Sequence, residues 1–244
     1  MSYKEKILAD IGNSRVKFKS NDIISAYENH SIDLENYLDS IEKGDFEYFY
    51  FSSVNKEVED FIVEKLERKV AHIENAENLI SSSPIDFDSI VGMGTDRKLS
   101  LIAVHRLSYL PLVTIDCGTA VTVNLLDEDN ICLGGVIIPG FYLQAKALHI
   151  FTSNLPLIEN IEYNGFIGKN TEDSIRNGII NSIVGGIITT ISHSSLSSVP
   201  GIYVSGGYGL IIKERLLCSY PNVTYDENLV LKGLDYLVHN SIKV

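Results

Sequence analysis

The sequence predicts an α/β protein whose chain is built as two related halves. Apolar runs at strand spacing alternate along the 244 residues with segments whose apolar residues recur at helical spacing. An apolar strand that ends in Asp-x-Gly and small polar residues occurs twice, at Asp10 to Ser14 (DIGNS) and at Asp116 to Ala120 (DCGTA). Because nearly half of the chain separates the two turns, the repeat indicates an internal duplication with a cleft between the halves. We place the halves at residues 1–110 and 111–244.

The first half is predicted to open with a hairpin and to continue with alternating helices and strands. Lys6–Asp10 and Arg15–Lys19 are expected to be the strands on either side of the first turn. The remaining predictions are helices at 31–41, 56–70 and 97–107, an aromatic-rich strand at 46–52 and a glycine-rich loop at 92–96.

The second half is predicted to repeat the hairpin and to contain one long apolar helix. The predicted strands are 112–116, 121–126, 131–138 and 202–205. A helix is expected from Glu172 onward, and its apolar stretch Gly178–Ile191 includes Asn181, Ser182 and two further glycines. That stretch is too short and too polar to cross a bilayer, so the sequence favours a buried helix and no membrane partner.

Composition and charge narrow the classes of partner. The formal net charge is −12, and no run of Lys or Arg offsets it, so we predict no nucleic-acid partner. Cys117, Cys132 and Cys218 are odd in number and lack CxxC spacing, which predicts neither a disulfide framework nor a zinc site. The first residues, MSYKEKILADIG, lack the apolar core of a signal peptide, and we expect a cytoplasmic protein.

The two Asp-x-Gly turns carry groups that are suited to phosphate. Glycine allows successive backbone N–H groups to point at phosphate oxygens. Asn13, Ser14, Thr119 and Thr122 add side-chain donors. An Asp at the end of a strand can hold a metal ion or its waters. For either turn alone, an ordinary hairpin with a capping carboxylate is the alternative.

The loop Gly92 to Arg97 (GMGTDR) places a carboxylate beside a guanidinium at the start of a predicted helix. Asp96 can accept the proton of a substrate hydroxyl, and Arg97 can bind a carboxylate through two hydrogen bonds. The alternative is a helix-capping Asp with a surface Arg. The loop lacks the third glycine of a dinucleotide-binding fingerprint.

Two further segments are weaker signals. Gly168 to Thr171 (GKNT) is similar to the end of a P-loop, but position 163 is Tyr where that motif needs Gly. We interpret it as a loop and helix cap, with Asn170 or Thr171 free to meet a ligand. Ser205 to Gly207 ends a strand with glycines against which a ribose or a flat ring could lie. No HExxH spacing and no GxSxG elbow supports a hydrolase.

Taken in order, these motifs resemble those of type III pantothenate kinases. The resemblance runs from Asp10 to Leu234 and rests on the order and spacing of DIGNS, GTDR, DCGTAVT, GGVIIPG, GKNTEDSIRNG, SGG and NLVLKGL. It implies a duplicated actin/hexokinase-like (ribonuclease H-like) fold and a homodimer. It also implies phosphorylation of pantothenate by ATP, the first step of coenzyme A biosynthesis, with Mg²⁺ and a monovalent cation, K⁺ or NH₄⁺.

The resemblance assigns a role to each matching residue. Asp96 would orient the primary hydroxyl of pantothenate and take its proton during direct in-line transfer. The residues assigned to ATP and its phosphates are Asp10, Gly12, Asn13, Ser14, Lys17, Gly118, Thr119, Thr122, Ser205, Gly206 and Gly207. Those assigned to pantothenate are Gly94, Arg97, Gly135, Pro139 beside Gly140, and Thr171 near the dimer interface. Asp116 is assigned to the monovalent cation and Asp10 to Mg²⁺.

A few positions depart from the pattern of that family. Ser14 and Ser205 replace commoner threonines and keep the hydroxyl group. Asn228 stands where Asp is usual, and Phe141 where Leu is usual. Two other classes stay open: a regulatory accessory protein of the same family, and a sugar kinase of the same superfamily, for which no sugar-reading loop is visible.

Overall fold

A computed structural model describes residues 5–107, 109–163 and 165–241. The chain divides into two compact units that are not contiguous in sequence. Unit 1 contains the described residues of the segments up to 84, 91–106 and from 228 onward, and unit 2 contains those of 85–90 and 107–227. The duplication boundary at residue 110 stays a prediction, because the division into compact units does not show where one sequence repeat ends and the next begins.

Unit 1 contains a five-stranded mixed sheet of order β3-β2-β1-β4-β5. Its strands are β1 (Lys6–Ile11), β2 (Arg15–Ser20), β3 (Ile23–Glu28), β4 (Tyr48–Ser53) and β5 (His72–Asn75). The first three strands form an antiparallel meander, and β4 pairs parallel to β1. Strand β1 is therefore central, and Ile7, Ala9 and Ile11 on one of its faces are completely buried.

In the described part of unit 1, four α-helices and one 3₁₀ helix accompany this sheet, and side chains cap the first two of these α-helices. They are α1 (Ile32–Ser40), α2 (Lys56–Leu66), a 3₁₀ helix (Ala76–Ser82), α3 (Thr95–His105) and α7 (Leu229–Ser241). Ser31 and Asn55 cap α1 and α2 by accepting N–H bonds from Leu34 and Val58. Helix α7 packs closely on α3, because a Cβ atom at Gly233 would lie 2.1 Å from the carbonyl oxygen of Leu99.

Unit 2 contains a second five-stranded mixed sheet of order β10-β9-β6-β7-β8. Its strands are β6 (Leu112–Cys117), β7 (Ala120–Leu126), β8 (Cys132–Pro139), β9 (Gly201–Ser205) and β10 (Val223–Tyr225). Its helices are α4 (Phe141–Phe151), α5 (Thr171–Ser192) and α6 (Gly209–Leu216). Asn170 caps α5 by accepting the N–H of Asp173 at 2.8 Å.

The two sheets have the same topology. In each, the first three strands run antiparallel, and the two later strands add parallel to the first strand on its other side. Strands β1 to β5 thus correspond in order to β6 to β10. The predicted α/β class with two related halves is confirmed by this match.

Helix α5 is buried along one face, as the sequence favours. Ile180, Ile183 and Ile187 are at most 1% exposed, and the outward face carries small residues such as Gly178 and Gly185. In the described residues, no helix combines the length and apolar character that a membrane span requires.

Candidate active site

The first Asp-x-Gly turn is held in shape by Asn29. The Asn29 side-chain amide donates to the carbonyl oxygens of Gly12 and Asn13 at 3.0 and 2.9 Å. Gly12 itself donates to the carbonyl of Arg15 at 3.0 Å, which closes the turn between β1 and β2. Asn13 and Ser14 at its tip are exposed. The predicted phosphate turn is therefore a fixed loop with accessible polar groups at its tip.

Asp10 lies near the end of β1 in a row of polar residues across the sheet. It pairs in register with Lys17 on β2 and with Ser52 on β4. Residues that pair directly across strands present their side chains on the same face. The Lys17 ammonium donates to the Asn228 side chain at 3.3 Å. A cation and a hydroxyl thus flank the Asp10 carboxylate.

The catalytic candidate Asp96 sits in the first turn of α3, directly after the glycine loop. Its Oδ1 accepts the backbone N–H of Arg97 at 2.8 Å. A Cβ atom at Gly94 would lie only 2.5 Å from that oxygen, so glycine is needed there for this position of the carboxylate. Burial raises the pKa of Asp96 above its ordinary value, and the N–H and charge of Arg97 offset part of that rise. The result is a carboxylate of increased basicity.

Glu77 holds the residues on either side of the Asp96–Arg97 pair. Its carboxylate accepts the Thr95 hydroxyl at 2.6 Å and the Lys98 ammonium at 2.6 Å. Burial opposes its charge, but the bonds from Lys98 and Thr95 outweigh this and lower the pKa of Glu77. Gly94 offers α3 no side-chain cap, so Glu77 supplies the fixed point for the first turn.

The GTDR loop runs beside the end of the strand next to Asp10. A Cβ atom at Gly94 would lie 3.8 Å from Val54, and the N–H of Val54 donates to the carbonyl of Ile11 at 3.0 Å. Unit 1 thus brings the segment that precedes Asp96 close to the strand ends that carry the first turn.

In unit 2, Asp116 occupies the position that Asp10 has in unit 1. It pairs in register with Thr122 on β7 and with Ser205 on β9. The hydroxyl of Ser205 donates to Asp116 Oδ1 at 2.7 Å. Ser205 is only 3% exposed, so its main visible role is to orient Asp116 rather than to present its hydroxyl to solvent.

The loop Ser205–Gly207 packs directly on the second Asp-x-Gly turn. Gly206 has a φ of 89°, and a Cβ atom there would lie 2.4 Å from the carbonyl oxygen of Cys117. The Tyr225 hydroxyl donates to the carbonyl of Gly206 at 3.1 Å. The Tyr208 hydroxyl accepts the N–H of Phe141, the first residue of α4, at 3.1 Å. Two tyrosines therefore fix this loop in unit 2.

The segment Gly135–Gly140 also packs closely against the second turn. Gly140 donates to the carbonyl of Thr119 at 3.0 Å, and a Cβ atom at Gly140 would lie 2.4 Å from that oxygen. A Cβ atom at Gly135 would overlap the carbonyl oxygen of Val123 on β7, at 1.8 Å. The first of these contacts explains Gly140 in the Pro139-Gly140 motif, and the second explains Gly135 in β8.

Thr171 lines an open groove of about 810 Å³ between α4, α5 and the loop that precedes α5. The groove contains Gln144, whose amide donates to the carbonyl of Pro139 at 2.8 Å and whose oxygen accepts the Ser182 hydroxyl at 2.9 Å. Thr171 is exposed at the first position of α5. Gln144 therefore links the Pro139 segment to the groove that holds Thr171.

The predicted site residues fall into one set on each unit. Unit 1 carries Asp10 to Lys17 and Gly94 to Arg97, and unit 2 carries the rest. Within the described residues, no cluster of three or more His, Cys, Asp or Glu side chains could enclose a metal ion. The single carboxylate of Asp10, which pairs in register with Lys17, fits a hard cation such as Mg²⁺ that takes its other ligands from water and a bound anion.

Sequence reasoning missed several residues that shape these sets. They are Asn29, Ser52, Glu77, Tyr208 and Tyr225. For Ser52 a signal was present, because the strands FEYFYFS and IYVS both end in Ser. For the others the partner is distant in sequence, and no local pattern identifies it.

Comparison with solved structures defines the class of fold. A Campylobacter jejuni protein described as a Baf family transcriptional activator aligns with a TM-score of 0.70 and 19% identity, over 98% of this chain and 100% of the other. A Sinorhizobium meliloti protein described as a 2-dehydro-3-deoxygalactonokinase aligns with a TM-score of 0.62 at 10% identity, over 98% of this chain and 100% of the other. MreB 5 of Spiroplasma citri bound to AMPPNP gives 0.55 at 10% identity, over 100% and 98%. The chain has the duplicated actin/hexokinase-like fold.

Comparison with sequences identifies the family within that class. A family model for type III pantothenate kinase matches residues 6–193. The type III pantothenate kinase of Thermosipho africanus is 34% identical over an alignment that covers 96% of this chain and 98% of the relative. That of Thermosipho melanesiensis is 36% identical over 154 residues, 62% of this chain and 60% of the relative. The chain belongs to the type III pantothenate kinase family.

Proposed function

We propose that this protein transfers the γ-phosphoryl group of ATP to the primary hydroxyl of pantothenate, the first step of coenzyme A biosynthesis. The observation that carries the proposal is Asp96, a half-buried carboxylate of raised pKa in the Gly94–Arg97 loop of a chain of this family. A carboxylate placed in this way can accept a hydroxyl proton.

The proposed roles follow from the chemistry of each group. The pantothenate oxygen forms a bond to the γ-phosphorus while the bond to the ADP oxygen breaks, and the hydroxyl proton passes to Asp96. Arg97 binds the carboxylate of pantothenate. Backbone N–H groups and hydroxyls of the two turns hold the phosphates, where positioning and charge neutralisation matter most because the transition state is loose.

Mg²⁺ would be held by the nucleotide phosphates and by Asp10, near the end of β1. When bound, the ion neutralises charge that develops on the phosphoryl oxygens. The Asp10 carboxylate beside Lys17 keeps one carboxylate and one cation next to the first turn. That pairing suits a site where an anionic nucleotide and its metal arrive together.

Asp116 is the proposed ligand of a monovalent cation. Its Oδ1 accepts the Ser205 hydroxyl at 2.7 Å, which orients the carboxylate near the end of β6, beside the second Asp-x-Gly turn. We expect the rate with K⁺ or NH₄⁺ to exceed that with Na⁺ or with no added monovalent salt, at constant Mg²⁺ and ionic strength. Equal rates in all four conditions would remove the cation from the proposal.

A homodimer is proposed, with Thr171 near the interface in contact with pantothenate. Exposed apolar side chains lie along β8, α4 and the loop before α5, and they support a surface that a second copy covers. The most exposed are Ile137, Tyr142, Ile150, Phe151, Phe166 and Ile167.

A cytoplasmic location without a nucleic-acid partner completes the proposal. The Campylobacter neighbour is described as a transcriptional activator, but a similarity at 19% identity shows only that the two proteins share a fold. The net charge of −12 disfavours the regulatory alternative. A salt-dependent mobility shift with submicromolar affinity would favour that alternative.

The deciding experiment is a coupled assay of ADP release with pantothenate and with a panel of sugars. We expect ATP-dependent turnover with pantothenate, and a 4′-phosphorylated product by mass spectrometry. Turnover with a sugar and none with pantothenate would favour the sugar-kinase alternative instead.

A further inference from the structure

The shared topology of the two sheets identifies a counterpart for Ser205. Asp10 is the fifth residue of β1, and Asp116 is the fifth residue of β6. The fifth residue of the adjacent parallel strand is Ser52 on β4 and Ser205 on β9. Both serines pair in register with the aspartate of their own unit.

The two serines differ in one respect. The Ser205 hydroxyl donates to Asp116 at 2.7 Å. The Ser52 hydroxyl is buried, the residue is 0% exposed, and its Oγ has no hydrogen-bond partner among the described residues. A buried hydroxyl without a partner loses its hydration and gains nothing in return, which is costly and uncommon in native proteins.

The neighbouring Ser53 has hydrogen-bond partners, so the lack of a partner for the Ser52 hydroxyl among the described residues is not a general feature of this end of β4. Ser53 donates to the carbonyl of Asn55 at 3.2 Å and accepts the N–H of Asn55 at 3.2 Å, so its hydroxyl shapes the turn into α2. Ser52 lies on the other face of β4, beside Asp10, at the distance of about 5 Å that separates paired strands. That spacing lets a hydroxyl and a carboxylate meet, as they do in unit 2.

We propose that Ser52 is a positioning residue of the nucleotide site: its hydroxyl donates to the Asp10 carboxylate when nucleotide binds, as Ser205 donates to Asp116. The inference rests on the proposed function in so far as that function places Asp10 at the nucleotide. The unpartnered hydroxyl is then a cost in the free protein that the bound state recovers.

The experiment compares Ser52→Ala with Ser53→Ala in the full chain. Affinity for the ATP analogue AMPPNP with Mg²⁺ is measured by calorimetry, and stability of the free protein by thermal unfolding. We expect Ser52→Ala to weaken AMPPNP binding about tenfold, the size of one hydrogen bond to a charged group. Its Tm should be equal to or higher than that of the unmodified protein.

Ser53→Ala should show the opposite pattern, a lower Tm with unchanged affinity. Ser52→Cys keeps a hydrogen-bearing atom at the γ position but donates weakly, so it should bind AMPPNP as poorly as Ser52→Ala. Affinity of Ser52→Ala within twofold of the unmodified protein, or a fall in Tm as large as that of Ser53→Ala, would overturn the inference. AMPPNP binding is measured without pantothenate, so it does not depend on which substrate is phosphorylated. If the proposed function were wrong, the unmodified protein would bind AMPPNP but phosphorylate no compound in the substrate panel.

Discussion

At the scale of single residues, Asp96 is the group on which the reaction depends. Replacing Asp96 by Asn keeps the size and the oxygen that accepts the Arg97 N–H, but it removes the charge and the proton acceptor. We expect kcat to fall by about 10²–10⁴-fold, the usual contribution of a general base. Affinity for ATP should persist. Arg97→Ala should instead raise KM for pantothenate most. Retention of more than about a tenth of kcat by Asp96→Asn would contradict this role.

Asp96→Asn is also expected to change the stability of the folded protein. Burial raises the pKa of Asp96, so the folded protein favours the protonated carboxyl. That contribution stabilises the fold below the ordinary pKa and is lost as the pH rises through the raised value. At neutral pH the charged Asp96 is therefore a cost, and Asp96→Asn should raise Tm at pH 7. The gain should shrink as the pH falls toward 4, and a gain that does not depend on pH would contradict this origin.

Individual residues also show which parts of the candidate site could be predicted from the sequence. The strand-end aspartates and Gly206 could be singled out as candidates because backbone chemistry restricts which residues occupy such turns, whereas Gly94 and Gly140 were assigned by the resemblance. Glu77 and Tyr208 could not be identified, because each acts on a residue that only the tertiary fold brings near. Ser52 lay between these cases: its identity was visible, but its pairing with Asp10 depends on strand register.

At the scale of elements, the start of α3 depends on Glu77. Exposed ion pairs contribute little to stability, whereas a small displacement of a catalytic group can cost up to about 100-fold in rate. We expect Glu77→Ala to lower kcat about tenfold, within that range, while Tm changes by less than about 4 °C. Glu35→Ala, which removes a comparable pair with Lys65 at 3.2 Å, is the matched control. Equal loss of kcat in both variants would assign no special role to Glu77.

Strands and helices were predicted best where the apolar pattern was clear or where a nearby residue in the sequence caps the helix. Strands β1, β2, β6 and β7 were predicted to within a residue or two, and α5 begins at Thr171 beside the expected Glu172. The sequence reading missed β3, β5, β10, α4, α6 and α7. Several of these are short or lie at the edge of a sheet, where neighbours rather than periodicity decide the structure.

At the scale of the whole molecule, the exposed apolar side chains of unit 2 predict self-association. Phe151 is 83% exposed near the end of α4, and Ile137 is 64% exposed on β8. We expect the unmodified protein to be a dimer by light scattering and Phe151→Glu to be largely monomeric at micromolar concentration. Ile23→Glu, at a position 71% exposed in unit 1, should leave the dimer intact. A fully active monomeric unmodified protein would contradict the homodimer.

The position of α7 has a consequence for the order in which the protein matures on the ribosome. Unit 1 needs this helix, because Leu229, Leu234 and Leu237 are at most 1% exposed there. Yet the whole of residues 107–227 is synthesised between α3 and α7. Domains commonly fold from the N-terminus during synthesis, but unit 1 cannot complete its core until α7, which follows unit 2 in the sequence, packs on α3. A nascent chain stalled before residue 228 would thus present an apolar surface to chaperones, although most of its strands have already emerged.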